Sequence, residues 1–270
     1  MEHHEVQSET VFEGENKMKI SIRHRYIKKI PVLEVVSEEN KNSVLPLVIY
    51  YHGWQSTKEL SLTQARKLAK KGMRVILPDA MNHGERKTGP ISPIPSVTFW
   101  ASIQYNIIEF AQLVRHFDKQ GLIESGKIGV GGVSMGGITT CALLTQHLEI
   151  KTAACMMGTP KPLRYIERVM ERSAEMDFFV PKDLPLLLSW VANYDLSKVP
   201  ERLAQRPVLF WHGTDDPKIP YEDMADFYQM IEDQPYAENS QFITGVGDGH
   251  LVKGEMMDVV AEFFEKEFLR

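Results

Sequence analysis

Residues 127–148 read KIGVGGVSMGGITTCALLTQHL. The first eight residues form an apolar run of strand length, and the next fourteen form a helical stretch rich in small side chains. At the joint stands Gly132-Val133-Ser134-Met135-Gly136, a G-x-S-x-G pattern with a strand before it and a helix after it. That setting gives the motif its meaning, because the five residues alone recur by chance. A strand that turns sharply into a helix holds its corner residue in a strained backbone conformation. Small flanking residues let strand and helix approach. The corner hydroxyl is then presented at the helix N-terminus, where the positive end of the dipole favours developing negative charge. Ser134 is therefore the candidate nucleophile. The structural alternative is a tight turn whose serine only caps the helix.

A serine hydroxyl becomes reactive when a base takes its proton and a third group orients that base. In this architecture the chain order is Ser, then Asp or Glu, then His. Beyond Ser134 the run RPVLFWHG (206–213) reads as a strand, and two acids follow it, Asp215 and Asp216. Loops at the carboxyl ends of parallel strands are where sites gather on open sheets. Asp216, the last residue of His212-Gly213-x-x-Asp, is assigned as the orienting acid. Asp215 is the alternative, with a turn or cap role. A single histidine lies beyond Asp216: His250, in Gly247-Asp248-Gly249-His250-Leu251. Order alone thus selects it as the general base.

An oxyanion hole needs one N–H from the residue after the nucleophile and one from the loop after the first central strand. The first is Met135. The second is assigned to Trp54, with Gly53 next, in Tyr51-His52-Gly53-Trp54. His52 reads as a structural histidine that braces this loop. In Pro78-Asp79-Ala80-Met81-Asn82-His83-Gly84-Glu85-Arg86 the pair Asp79 and His83 has a spacing that suits a metal. No further ligands cluster with it, so loop bracing by Asp79, His83 and Arg86 is the preferred reading, and no metal is assigned.

Outward from this centre, short β-branched runs alternate with longer helical patterns. The expected strands are 45–53, 73–80, 127–134, 151–158, 206–213 and 239–245, with helices over 61–72, 96–121, 135–148, 221–234 and 255–270. Such alternation predicts an α/β fold, a mostly parallel sheet covered by helices. Before residue 45, KMKISIRHR and KKIPVLEVVSEE suggest an antiparallel start. Residues 159–205 break the rhythm with two helical patches, LRYIERVMERSAEM and LPLLLSWVANY. They read as a helical insertion over one end of the sheet within a single domain, 1–270, because about 45 residues make a poor core alone.

The composition is that of an ordinary globular chain: 270 residues, 43% hydrophobic, with a net charge of −5. A negative balance argues against nucleic acid and anionic membranes as partners. Cys141 and Cys155 are too few for a disulfide framework and read as reduced core thiols. No run approaches a membrane span, and the polar, acidic residues 1–17 lack the apolar core of a signal peptide. The expected setting is the cytoplasm, as a monomer or homodimer.

Taken together, HGW, PDAMNHGER, GVSMGG, HGTDDPKIP and GDGH, in that order over residues 45–270, resemble the α/β-hydrolase superfamily. They are most similar to small bacterial esterases of its dienelactone hydrolase or prolyl-oligopeptidase-like branch. The resemblance implies an eight-stranded mostly parallel sheet with a small helical cap, and a serine-hydrolase mechanism that needs no cofactor. It places Ser134, Asp216 and His250 in the triad and Trp54 and Met135 in the oxyanion hole. Serine at the elbow disfavours the chemistries of family members with Cys or Asp there. The absence of a propeller puts peptidase activity in doubt. The expected activity is hydrolysis of short- to medium-chain carboxylic esters. The alternatives are a peptidase or amidase using the same triad, a non-catalytic binding member, and acyl transfer to an acceptor other than water. Apolar residues of the insertion, Phe178 and Trp190 among them, are expected to line an acyl pocket.

Overall fold

Each apolar run of strand length takes its place in one sheet, shown by a computed structural model that describes residues 6–10 and 18–269. Apart from 6–10, the polar N-terminal stretch read above lies outside the described residues, as does Arg270. In chain order the elements are β1 (Val6–Thr10), β2 (Lys19–Ile27), β3 (Ile30–Ser37), β4 (Leu45–Tyr51), α1 (Leu62–Lys70), β5 (Arg74–Pro78), α2 (Val97–Asp118), β6 (Ile123–Val133), α3 (Met135–Gln146) and β7 (Ile150–Met156). There follow α4 (Pro162–Glu175), α5 (Leu184–Leu187), β8 (Val208–Gly213), α6 (Tyr221–Ile231), β9 (Ser240–Gly245) and α7 (Gly254–Leu269).

The strands lie in the order β1-β2-β3-β5-β4-β6-β7-β8-β9. β1 to β3 form the antiparallel start, and β3 pairs antiparallel with β5. From β5 to β9 every neighbouring pair is parallel. The eight expected strands are β2 to β9, and β1 extends the edge. β6 begins at Ile123, four residues before the expected start at Lys127, because Ile123 pairs with Leu45 across a register shift.

Parallel strands buried on both faces are near-continuous apolar runs, and β4, β5 and β8 are examples, with Arg74 at the start of β5 and His212 near the end of β8 as their polar members. One face packs on α1 and α7 through Leu68, Phe264 and Phe268. The other packs on α2, α3 and α6 through Trp100, Phe110, Leu143 and Phe227. Cys141 and Cys155 are both free and buried. Between β7 and β8 the chain forms α4, the single turn α5, and 3-10 turns at 189–194, 196–198 and 200–203. The second helical patch of the insertion is thus a short helix that Pro185 opens and 3-10 turns continue. Among the described residues no helix is long and apolar enough to cross a membrane.

Candidate active site

β6 lies at the centre of the parallel sheet, and its last residues pair with both neighbours: Gly132 stands opposite Tyr51 of β4 and Cys155 of β7. The strand then turns into α3 within one residue. Ser134 takes φ 56° and ψ −115°, a left-handed conformation that a side chain occupies at a cost of roughly 1–3 kcal/mol. The surroundings hold it there. The Ser134 N–H donates to the Met156 carbonyl at 2.9 Å, and the Ser134 carbonyl accepts from Ile138 N–H at 2.9 Å. The flanking glycines permit the approach: a Cβ on Gly132 would lie 2.5 Å from the Gly136 carbonyl carbon, and one on Gly136 would overlap the Tyr51 carbonyl oxygen.

Two loops at the carboxyl ends of β8 and β9 complete the constellation. His250 Nε2 lies 2.8 Å from Ser134 Oγ, and His250 Nδ1 lies 2.7 Å from Asp216 Oδ2. A carboxylate can only accept, so the proton sits on Nδ1, and Nε2 accepts from the serine hydroxyl. The histidine loop hugs the end of β8, where a Cβ on Gly213 would overlap the Asp248 carbonyl. The Asp216 side chain is fully buried. Burial opposes its ionisation, but hydrogen bonds from His212, His250, Lys218 N–H and Ile219 N–H outweigh it and hold the carboxyl well below the usual range. Asp215 is used otherwise: its Oδ1 accepts from the Thr214 hydroxyl, and its N–H donates to the Asp248 carbonyl.

Met135 opens α3, so its N–H has no acceptor within the helix. The loop after β4 faces it, with Gly53 packed against Ser134. In that loop the Gln55 N–H donates to His83 Nε2 at 3.0 Å and the Ser56 N–H to the Gly53 carbonyl at 3.3 Å. The Trp54 N–H meets no acceptor among the described residues. His52 does brace this loop: its Nδ1 donates to the Gly53 carbonyl and its Nε2 accepts from Ala80 N–H. Asp79 is fully occupied by the Lys58 ammonium, the Lys58 N–H and the Glu85 N–H. Burial favours a neutral Lys58, but Asp79, Glu85 and Glu59 outweigh it and raise the pKa. Arg86 forms a bidentate pair with Glu109 and donates to the Asp79 carbonyl. Asp79, His83 and Arg86 thus brace the loops they belong to. Among the described residues no group of three or more His, Cys, Asp or Glu is disposed to hold a metal ion.

Ser134 and His250 open onto a cavity of about 490 Å³. Its walls include Ile91, Ile94 and Pro95 from the segment before α2, Phe99 from the first turn of α2, and Tyr165 and Val169 from α4. Neither Phe178 nor Trp190 is among its lining. Phe178 is 51% exposed, and Trp190 packs against Trp100 and Tyr194. The insertion reaches the cavity through α4 instead. Residues 89–95, an apolar segment broken by prolines, carry no periodicity that would have announced the opposite wall. His212, buried and on Asp216, was visible only as a polar residue near the end of an apolar strand.

Sheet order, elbow and loop placement define a hydrolase of the α/β-hydrolase fold. More narrowly, the chain belongs to the prolyl oligopeptidase family, which its residues 103–269 match. It is 38% identical over 254 residues to the "Putative esterase YitV" of Bacillus subtilis (strain 168), covering 91% of this chain and 98% of that protein. It is 29% identical over 253 residues to "Esterase YjfP" of Escherichia coli (strain K12), covering 92% and 99%. Among solved structures it is similar to TT1662 from Thermus thermophilus, with a TM-score of 0.73 at 18% identity over 94% of this chain and all of that one. At that identity the likeness concerns the fold alone.

Proposed function

We propose that the protein is a carboxylesterase of short- to medium-chain esters, with Ser134, His250 and Asp216 as its catalytic triad. The observation that carries this reading is the position of one imidazole, 2.8 Å from the Ser134 hydroxyl and 2.7 Å from a buried carboxylate. The relatives that carry esterase names support the choice of ester over amide.

In the proposed reaction His250 Nε2 takes the Ser134 proton as Oγ attacks the ester carbonyl carbon. The carbonyl π pair moves to oxygen, and the N–H groups of Trp54 and Met135 hold the oxyanion. Losing one such donor costs about 3–4 kcal/mol, or 10²–10³ in rate. Asp216 stays ionised and stabilises the imidazolium. His250 then gives its proton to the alcohol oxygen as the C–O bond breaks, leaving an acyl-serine. Water, deprotonated by the same imidazole, releases the acid and restores the serine. No step calls on a metal or an organic group.

A cavity of about 490 Å³ with mostly apolar walls supports the choice of an acyl chain of modest length. We read the chain as one domain in which residues 159–205 form the cap, because α4 supplies a cavity wall. Two buried free thiols fit a reducing compartment such as the cytoplasm.

The test is Ser134→Ala. The variant should fold as the wild type does, lose hydrolysis of p-nitrophenyl acetate and butyrate, and escape labelling by a fluorophosphonate. Undiminished hydrolysis in that variant would remove the nucleophile assignment. Faster turnover of aminoacyl-p-nitroanilides than of the esters would move the reading to a peptidase.

A further inference from the structure

His212 is the next-to-last residue of β8 and is fully buried. Its Nε2 lies 2.9 Å from the Ile219 carbonyl and 3.1 Å from Asp216 Oδ2. Both neighbours are acceptors, so the ring proton sits on Nε2 and is shared between them. Asp216 Oδ2 therefore receives two imidazoles, that of His250 at 2.7 Å and that of His212. Its other oxygen accepts the N–H groups of Lys218 at 2.8 Å and Ile219 at 3.1 Å. The far nitrogen of His212, Nδ1, is buried without a hydrogen-bond partner among the described residues. A buried, unpartnered nitrogen is unfavourable. An apolar side chain of similar size would remove it, so packing alone does not account for a histidine here.

We propose that His212 is a positioning residue that acts through Asp216, donating to the oxygen that orients the catalytic base. The proposal rests on the reading of Asp216 as the orienting acid. Two consequences follow from the geometry. With its Nε2 on both Asp216 Oδ2 and the Ile219 carbonyl, His212 fixes the plane of the carboxylate against the loop that carries it. By competing for Oδ2, it also limits the bond that Asp216 makes to the His250 ring. The ionisable groups facing this pair are Tyr221 of α6, whose ring lies 6.3 Å from that of His212, Tyr165 of α4, and Asp216 and His250 themselves.

The experiment compares His212→Phe, which keeps bulk and removes the donor, with His212→Gln, whose amide restores a donor of similar reach. His212→Phe should lower kcat roughly 10- to 100-fold, the loss expected when a hydrogen bond to a charged group is removed, with KM little changed. The acid limb of its pH–rate profile should move to higher pH. His212→Gln should recover most of the rate and return the limb towards its wild-type position. In an Asp216→Asn background His212→Phe should cost less than about threefold, because the group it acts through is gone. A wild-type kcat and limb in His212→Phe, or the same loss in both backgrounds, overturns the proposal. Should His212→Phe not fold, ¹⁵N-histidine NMR of the wild-type protein decides. The proposal requires the Nε2–H tautomer at His212, and Nδ1–H overturns it. Fluorophosphonate labelling of wild-type Ser134 reads the parent assignment separately: absent labelling removes the esterase reading, whereas these comparisons address His212 alone.

Discussion

At Gly136 a single hydrogen in place of a methyl group lets α3 start against β4. A Cβ there would overlap the Tyr51 carbonyl oxygen, and its other near neighbours are also Tyr51 atoms. Tyr51 is paired into the sheet through Gly132 and cannot retreat without breaking the ladder. Gly136→Ala should therefore destabilise the protein by about 2–3 kcal/mol in urea denaturation, within the range for overpacked sites. It should also lower esterase activity more than stability alone explains, because the shift displaces Ser134. Unchanged stability would mean that the elbow yields more easily than its contacts suggest. Much at this scale was legible in the sequence. Ser134 stood in the strand–helix setting that gives its motif meaning, and a single histidine beyond Asp216 was available to partner it. The role of His212 was not legible, because it depends on a 3.1 Å approach across a loop, and order along the chain does not encode that distance.

Among the elements, the strands were the easiest to read and the insertion the hardest, for a physical reason. Parallel strands buried on both faces must be apolar along nearly all their length, so their sequence announces them. An insertion can place its apolar residues inward, outward or towards a cavity, and composition does not say which. Leu184, Leu188 and Val191 went into the core, whereas Phe178, Phe179, Leu186 and Leu187 stayed exposed. The cavity took Tyr165 and Val169, one turn apart on α4. Ion pairs tie that helix to α6: Arg164 and Arg168 approach the buried Asp223 at 3.2 and 3.1 Å. With α4 anchored, its side chains set the width of the cavity. Val169→Phe should therefore lower the butyrate-to-acetate ratio of kcat/KM about tenfold, the scale on which a pocket discriminates one or two methylenes, with acetate hydrolysis nearly preserved. An unchanged ratio would place the acyl chain elsewhere.

For the molecule as a whole, two buried histidines link acid stability to the loops around the site. His52 and His83 each donate from Nδ1 to a carbonyl and accept a backbone N–H at Nε2, from Ala80 and Gln55 respectively. Protonation would turn each acceptor into a donor facing another N–H. Burial pushes the His52 pKa down to about 4 and lowers that of His83 as well. In the unfolded chain a histidine titrates near 6.5. Between pH 6.5 and 4 the unfolded state therefore binds a proton that folded His52 refuses, and stability rises with pH across this window. It is fully present above pH 6.5 and lost as pH falls towards 4. From pH 7 to pH 5 the His52 share of that loss is about 1–2 kcal/mol. Asp216, held well below its usual value, acts with the same sign but mostly below pH 4, so pH 5 separates the two effects. Urea denaturation at both pH values should show the loss in the wild type. His52→Gln keeps an acceptor for Ala80 but cannot titrate there, and it should remove at least half of it. A wild-type protein equally stable at pH 7 and pH 5 would contradict the neutral-histidine brace. So would a His52→Gln variant that loses as much as the wild type, since the acid sensitivity would then arise elsewhere in the fold.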